Sequence, residues 1–333
     1  MQAAIYGLAG ARLTADERAF FRDADPAGYI LFRRNCVDRT QMRALTDELR
    51  ALSGRADLPI LIDQEGGRVS RLSQPEWPAF PAGWRFAELY AKAPMSAIEA
   101  ARANAQAIAL VLAEIGVNVD CLPVLDVRQE GATDIVGDRA LGSEPMQVAA
   151  LGRAMLDGLA AGGAVGVVKH MPGHGRARVD SHKELPVVDA AEEALETDLE
   201  PFRALRGAPM GMVAHIVFTA WDRENPSSLS PFVIGEMIRG RIGFDGFLMT
   251  DDLGMHALSG SFAQRTQRAL AAGCDAVLHC SGDLEEMAAV ASAAGPLSAE
   301  GQERLARAMA KAGQGTGSYE ALAEKRDRLL ALA

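Results

Sequence analysis

The sequence predicts an α/β fold: one (β/α)8 TIM-type barrel occupying residues 1–333 as a single domain, with a helical tail at its C-terminal end. Short apolar, strand-like runs alternate with longer helical patterns throughout, and eight such runs can be counted. Ionisable residues recur where those runs end, which is where a barrel collects its site. No GxGxxG or Walker pattern follows any run, so the alternative, a doubly wound nucleotide-binding sheet, lacks its signature.

The strand runs are Ala3–Gly7, Gly28–Phe32, Pro59–Asp63, Val117–Leu122, Gly166–Lys169, Gly211–His215, Phe247–Thr250 and Ala276–Leu278. Two of the intervening helices have readable starts. Asp38 with Gln41 opens a helix to about Leu52, which Gly54 ends. Ser96 with Glu99 reads as a capping box, and the helix it opens places Ile98, Ala101, Ala105, Ile108, Leu112 and Ile115 on one face until Gly116 stops it. Gly66–Arg68 reads as a turn. From Leu297 the pattern is a helix, a GQGTGS break, and a last helix from about Tyr319.

The bulk numbers suit a globular enzyme. The chain has 333 residues, 49% hydrophobic and 23% charged, enough for a full core. Its net charge of −10 argues against a general nucleic-acid or membrane-surface binder. No apolar stretch approaches the ~20 residues needed to span a bilayer. The N-terminal MQAAIYGLAGARL has no basic residue before its apolar run and is expected to be a first strand, not a signal peptide. Cys36, Cys121, Cys274 and Cys280 form no CxxC pair and read as free thiols in a reducing compartment. The expected location is the cytoplasm, and the expected state a monomer.

The densest stretch is Lys169–His182, KHMPGHGRARVDSH, which holds three of the six histidines. It follows a buried strand, so its polar groups fall at a strand end and on the loop beyond. Asp63, Asp126, His215, Asp251 and Asp252 occupy the corresponding place on other strands. Each has a bland reading: Asp126 as a cap, Asp252 as a helix N-cap, His215 as a hydrogen-bonded core histidine. His174 reads as structural within the Pro172–Gly175 bend, and His256 and His279 as peripheral. Convergence of so many ionisable groups on one rim is harder to explain as packing, because burying a charge is costly unless it is paired.

The order of the groups suggests a reaction. Asp251, on a strand tip, is held with the rigidity a nucleophile needs. Asp180 and His182 stand two apart in an extended segment, so both can face one side, with the carboxylate holding one ring nitrogen while the other handles a proton. A fixed carboxylate and a mobile acid/base are the minimal set for displacement with retention at a sugar carbon.

KHMPGHG…DSH, together with TDDLGM and IDQEGGRVSR, resembles glycoside hydrolase family 3, and within it the one-domain β-N-acetylglucosaminidases that recycle bacterial cell wall. The resemblance runs from about Ile30 to Cys280. It implies Asp251 as the nucleophile, His182 as general acid/base with Asp180 as its partner, and Asp63, Arg71, Arg139, Lys169 and His170 as substrate-binding residues. It implies no cofactor and no metal, and as substrate a small amino-sugar or muropeptide fragment instead of a nucleic acid or membrane. Larger relatives bring an acid/base from a second domain; no room for one remains after residue 280, so the DSH loop is expected to supply it. The sequence departs from the family pattern at Met171, where Phe is usual, and at Arg176–Val179. The two arginines there fit either an acidic aglycone or a solvated loop face.

Two rival readings remain at this level. A metal-dependent amidohydrolase would use a carbamylated Lys169 with His170, His215 and Asp251 as ligands, although the first strand lacks His-x-His. A catalytically inactive sugar-binding barrel is the other. The retention of Asp251, His182 and Asp180 together speaks against it.

Overall fold

The computed structural model describes residues 1–181 and 183–333. Eight parallel strands close into a barrel: β1 (Gln2–Gly7), β2 (Pro26–Leu31), β3 (Ile60–Ile62), β4 (Val119–Asp120), β5 (Val165–Met171), β6 (Met210–Val213), β7 (Phe247–Asp252) and β8 (Ala276–His279). Neighbours in sequence are neighbours in the ring, and β8 closes on β1. The predicted fold class holds, and every predicted strand is present. β4 is shorter than its apolar run because the Leu122 amide donates locally to the Asp120 carbonyl (2.8 Å) and Pro123 has no N–H to give the ladder.

Side chains alternate across each strand. Ala3, Ile5, Leu61, Val165, Val167, Phe247 and Met249 pack inside the barrel, while Ala4, Tyr6, Ile60, Ile62, Val168 and Leu248 pack outward against the helices. That parity decides where the chemistry goes. Asp63 follows Leu61 by two residues, Lys169 follows Val167, and Asp251 follows Met249. The same alternation that fills the core therefore turns these three groups inward at the strands' C-terminal ends.

Eleven helices follow: α1 (Ala15–Ala24), α2 (Arg39–Ser53), α3 (Gly83–Lys92), α4 (Pro94–Glu114), α5 (Pro145–Ala161), α6 (Glu192–Ala204), the wider-wound α7 (Val233–Ile242), α8 (Phe262–Ala272), α9 (Leu284–Ala291), α10 (Ala299–Met309) and α11 (Tyr319–Leu330), counted among the described residues. α2 starts and stops as predicted, with Asp38 accepting from the Gln41 amide (2.8 Å) and Gly54 in the left-handed region. The Ser96–Glu99 capping box is not formed. α4 begins earlier, with Pro94 in its first turn, where a missing N–H costs nothing. Glu99 instead pairs with Lys325 of α11 (2.5 Å).

The tail takes the predicted form. Leu297 and, from α10, Leu305, Ala308 and Met309 join the inward-facing strand residues in one apolar cluster, so α10 plugs the barrel at the end opposite the polar rim. No helix among the described residues is long and apolar enough to cross a membrane.

Candidate active site

At the C-terminal ends of the strands lies a cavity of about 550 Å³. Ile30, Met212 and Leu278 are among its apolar lining, and Asp63, Glu65, Arg71, Arg139, Lys169, His170, Asp251 and Asp252 are among its polar lining. All five residues predicted to bind substrate, and the predicted nucleophile, are therefore brought together.

A continuous ion-pair chain organises one wall. Lys169 Nζ donates to Asp63 Oδ1 (2.8 Å) and contacts Glu65 Oε1 (2.6 Å). Arg71 Nη2 donates to Asp63 Oδ2 (2.8 Å). Arg139 grips Glu65 with two parallel bonds, Nη2 to Oε1 and Nε to Oε2, both 2.8 Å. Burial alone would push the Asp63 carboxyl up, but the Lys169 and Arg71 charges overcome it and hold Asp63 well below the usual carboxylate range. Burial likewise works against ionising Glu65, and Arg139 and Lys169 bring it down to about 2. Burial opposes the charge on Lys169 too, but Asp63 and Glu65 raise it above the ordinary lysine value. All five groups are thus ionised at neutral pH, and the wall offers fixed acceptors and donors in alternation, as recognition of sugar hydroxyls requires.

Glu65 is the residue that sequence reasoning missed. Its signal was present: it stands two residues after Asp63 in Asp-Gln-Glu-Gly-Gly, at the start of a hairpin formed by Gln64–Gly66 and Val69–Ser70. Gly66 makes that hairpin possible, with φ +96° and a position where a Cβ would lie 2.2 Å from the Pro81 carbonyl oxygen. Gln64 fixes the hairpin's far end by exchanging bonds with the Leu72 backbone. Asp120 holds its near end, accepting from the Gln64 amide (3.0 Å). Burial pushes the Asp120 carboxyl well up.

Asp126 is not a cap. It is buried and accepts from the His174 amide (2.6 Å), the His170 amide (3.2 Å) and His170 Nδ1 (2.7 Å). A carboxylate on Nδ1 fixes the proton there and leaves Nε2 as the ring's other face. Burial works against the charge on Asp126, and the surrounding histidines and amide bring it down to about 2. His174 is structural, as predicted, and its Nε2 meets Ser181 Oγ (3.2 Å). Burial lowers it to about 4, against the pull of Asp126.

Across the cavity, β7 carries Asp251, whose Oδ1 accepts from the Asp252 amide (2.8 Å). Asp252 is not a helix cap; Oδ1 accepts from the Gly254 and Cys280 amides (both 3.0 Å), tying the end of β7 to β8. His215 braces the same point, with Nε2 donating to the Asp252 carbonyl (3.0 Å) and Nδ1 meeting Ser228 Oγ (2.6 Å). Burial lowers its basicity, so it serves as a neutral strut. Lys169 is held by Asp63 and Glu65, and His215 by Ser228 and the Asp252 carbonyl, so two of the ligands that the amidohydrolase reading required already have other partners.

Asp180 lies on the loop after β5, its carbonyl accepting from the Lys183 and Glu184 amides (2.9 and 3.0 Å). The Ser181 carbonyl accepts from the Ala257 amide (3.3 Å), joining this loop to the one after β7. His182 lies outside the described residues. Arg176 is not part of a solvated face: it points inward to α6, whereas Arg178 is exposed.

The glycosyl hydrolase family 3 N-terminal domain matches residues 3–311. The chain belongs to glycosyl hydrolase family 3. The match reaches beyond the Ile30–Cys280 stretch that carries the motifs. A β-hexosaminidase of Alkalilimnicola ehrlichii is 40% identical over 279 residues, covering 82% of this chain and 79% of its own length. One from Chromobacterium violaceum is 38% identical over 309 residues, covering 91% and 85%. NagZ from Neisseria gonorrhoeae, solved in complex with N-trifluoroacetyl-D-glucosamine, superposes with a TM-score of 0.87 at 30% identity over 100% of this chain and 98% of that one. This family 3 chain is a glycoside hydrolase of the β-N-acetylhexosaminidase class.

Proposed function

We propose that this enzyme is a retaining exo-β-N-acetylglucosaminidase that removes terminal N-acetylglucosamine from GlcNAc-1,6-anhydroMurNAc and its peptides during cell-wall recycling. It works as a cytoplasmic, one-domain monomer over residues 1–333, without metal or cofactor. Asp251 attacks the anomeric carbon while His182 protonates the departing glycosidic oxygen, leaving a glycosyl ester on Asp251. His182 then takes a proton from water, and the water oxygen displaces Asp251 with net retention. Asp180 orients the imidazole and favours its charged form. Asp63, Arg71, Arg139, Lys169 and His170 hold the sugar, with Glu65 added to that set.

The observation that carries this reading is the placement of Asp251 on β7, facing a cavity whose opposite wall is the Asp63–Lys169–Glu65–Arg139 chain. A carboxylate fixed by its own strand, across from a wall of donors and acceptors, is what attack on a bound sugar needs. The Neisseria complex with a 2-acylamino glucose supports an N-acetyl sugar in this cavity. The motif DSH, at Asp180–His182, supports the proton-handling roles.

A slowly turned-over fluorinated N-acetylglucosaminyl donor tests the reading directly. Intact-mass analysis should show one sugar added, and peptide mapping should place it on Asp251. Turnover of the unfluorinated aryl glycoside with the label on another residue would overturn the assignment. Product analysis on anhydromuramyl disaccharide by nuclear magnetic resonance should show the β-anomer forming first.

A further inference from the structure

Arg176 lies in the loop after β5, four residues before Asp180. Its Nε donates to Asp198 Oδ2 (2.5 Å) and its Nη2 to the Ala194 carbonyl (2.7 Å). Ala194 and Asp198 are one helical turn apart on α6, so a single guanidinium spans both. Asp198 is 1% exposed, and burial pushes its carboxyl up to about 6 against the pull of the Arg176 charge. Its Oδ1 has no hydrogen-bond partner among the described residues. A buried carboxylate kept with half its capacity unmet points to a role beyond packing.

A second observation concerns the bend itself. A Cβ on Gly173 would lie 2.9 Å from the Asp198 Cβ, and one on Gly175 would lie 1.8 Å from the Val127 carbonyl oxygen. The bend is therefore wedged between α6 and the segment after β4. Backbone bonds from Gln129 to the Gly175 carbonyl (3.2 Å) and from Thr133 to the Ala177 carbonyl (3.0 Å) hold its other side. Arg176 is the side chain that locks the wedge to α6.

We propose that Arg176 and Asp198 are positioning residues: by clamping the loop base to α6 they set where Asp180 and His182 present the proton donor to the leaving group. The inference rests on the reading of that loop as the source of the acid/base. It separates Arg176 from Arg178, its exposed neighbour, which the clamp does not use.

The test compares Arg176→Ala, Arg176→Lys and Asp198→Asn with wild type on two aryl N-acetyl-β-glucosaminides, one with a poor and one with an activated leaving group, alongside hydrogen exchange of the 171–184 segment. For Arg176→Ala, kcat on the poor leaving group should fall about 10- to 100-fold, with KM within about threefold and the activated substrate losing less than about threefold. Amides of the segment should exchange faster. Arg176→Lys should recover part of the loss and Asp198→Asn should fall between. Unchanged exchange, or an equal loss on both substrates, would overturn the clamp. His182→Ala run in parallel separates the two ideas. If it shows no leaving-group dependence, the acid/base reading has failed, and exchange in Arg176→Ala alone decides whether the clamp exists.

Discussion

Two parts of the active site are built on opposite plans. The wall of Asp63, Glu65, Lys169 and Arg139 sits on strand ends, a hairpin and the short helical turn Gly137–Arg139, with each charge answered by another within 2.8 Å. The segment carrying Asp180 leaves the barrel as a loop, and among the described residues its contacts include the Arg176 clamp, the backbone bonds from Gln129 and Thr133 and the bond to Ala257. The contrast follows the chemistry. Hydroxyls of a bound sugar keep their places through the reaction, so their partners gain from rigidity. On the proposed mechanism a proton donor serves a departing oxygen and then an arriving water.

The largest effect should come from the fixed side. Asp251→Ala is expected to lower kcat by on the order of 10⁴-fold or more while the melting temperature stays within a few degrees. Near-normal turnover would remove Asp251 from its role and leave the rigid wall without a reaction to serve. Lys169→Met comes next. It leaves Asp63 with Arg71 alone and Glu65 with Arg139 alone, and losing one partner of a buried ion pair costs up to about 3–5 kcal/mol. Urea unfolding should show that loss; a change under about 1 kcal/mol would mean the wall is less interdependent than its geometry implies.

The pH dependence of stability separates the loop from the wall. His174, lowered to about 4, favours the folded state fully above its unfolded value near 6.5, and that contribution is lost as pH falls toward 4. Asp198, raised to about 6, acts in reverse: its contribution is present below the unfolded carboxylate value near 4 and is lost as pH rises through 6. The two oppose each other in one window, so their contributions should nearly cancel between pH 4 and 6.5. His174→Asn should expose the Asp198 slope, with stability relative to wild type rising on acidification; a relative slope of the other sign would break the pairing. The wall contributes below this window. Asp63 and Glu65, both lowered, stabilise above pH 4 and lose that effect as pH falls toward 2. The smallest effect belongs to Arg178→Ala, which should leave stability within about 0.5 kcal/mol and aryl-glycoside turnover within about twofold.

The same contrast marks how far the site could be read from sequence. Strand ends were legible because alternation in the barrel is strict: once Leu61, Val167 and Met249 are inside, Asp63, Lys169 and Asp251 must be too. Glu65 escaped because its role depends on a hairpin returning across the rim, and on Arg139, 74 residues away. The Ser96 start failed because Pro94 offers a helix start two residues earlier with no side-chain bond needed. Asp126 looked like a cap because sequence shows its neighbours along the chain, not the two histidines that turn back onto it. The part played by Arg176 was hidden for the same reason, since its partner belongs to the next helix.

The α10 plug has a consequence for the order of events. With Leu305, Ala308 and Met309 stopping the far end, and Ile30, Met212 and Leu278 lining the cavity, the barrel opens, among the described residues, at its polar rim. On the proposed function the sugar occupies the blind end, and the remainder of the substrate stands between it and solvent. In a two-step displacement the remainder must therefore depart first, and water must enter by the route it vacates. Free N-acetylglucosamine leaves last, so it should compete with incoming substrate for the empty enzyme. The released aglycone should instead compete with water for the loaded one, sending some of the captured sugar back to where it came from.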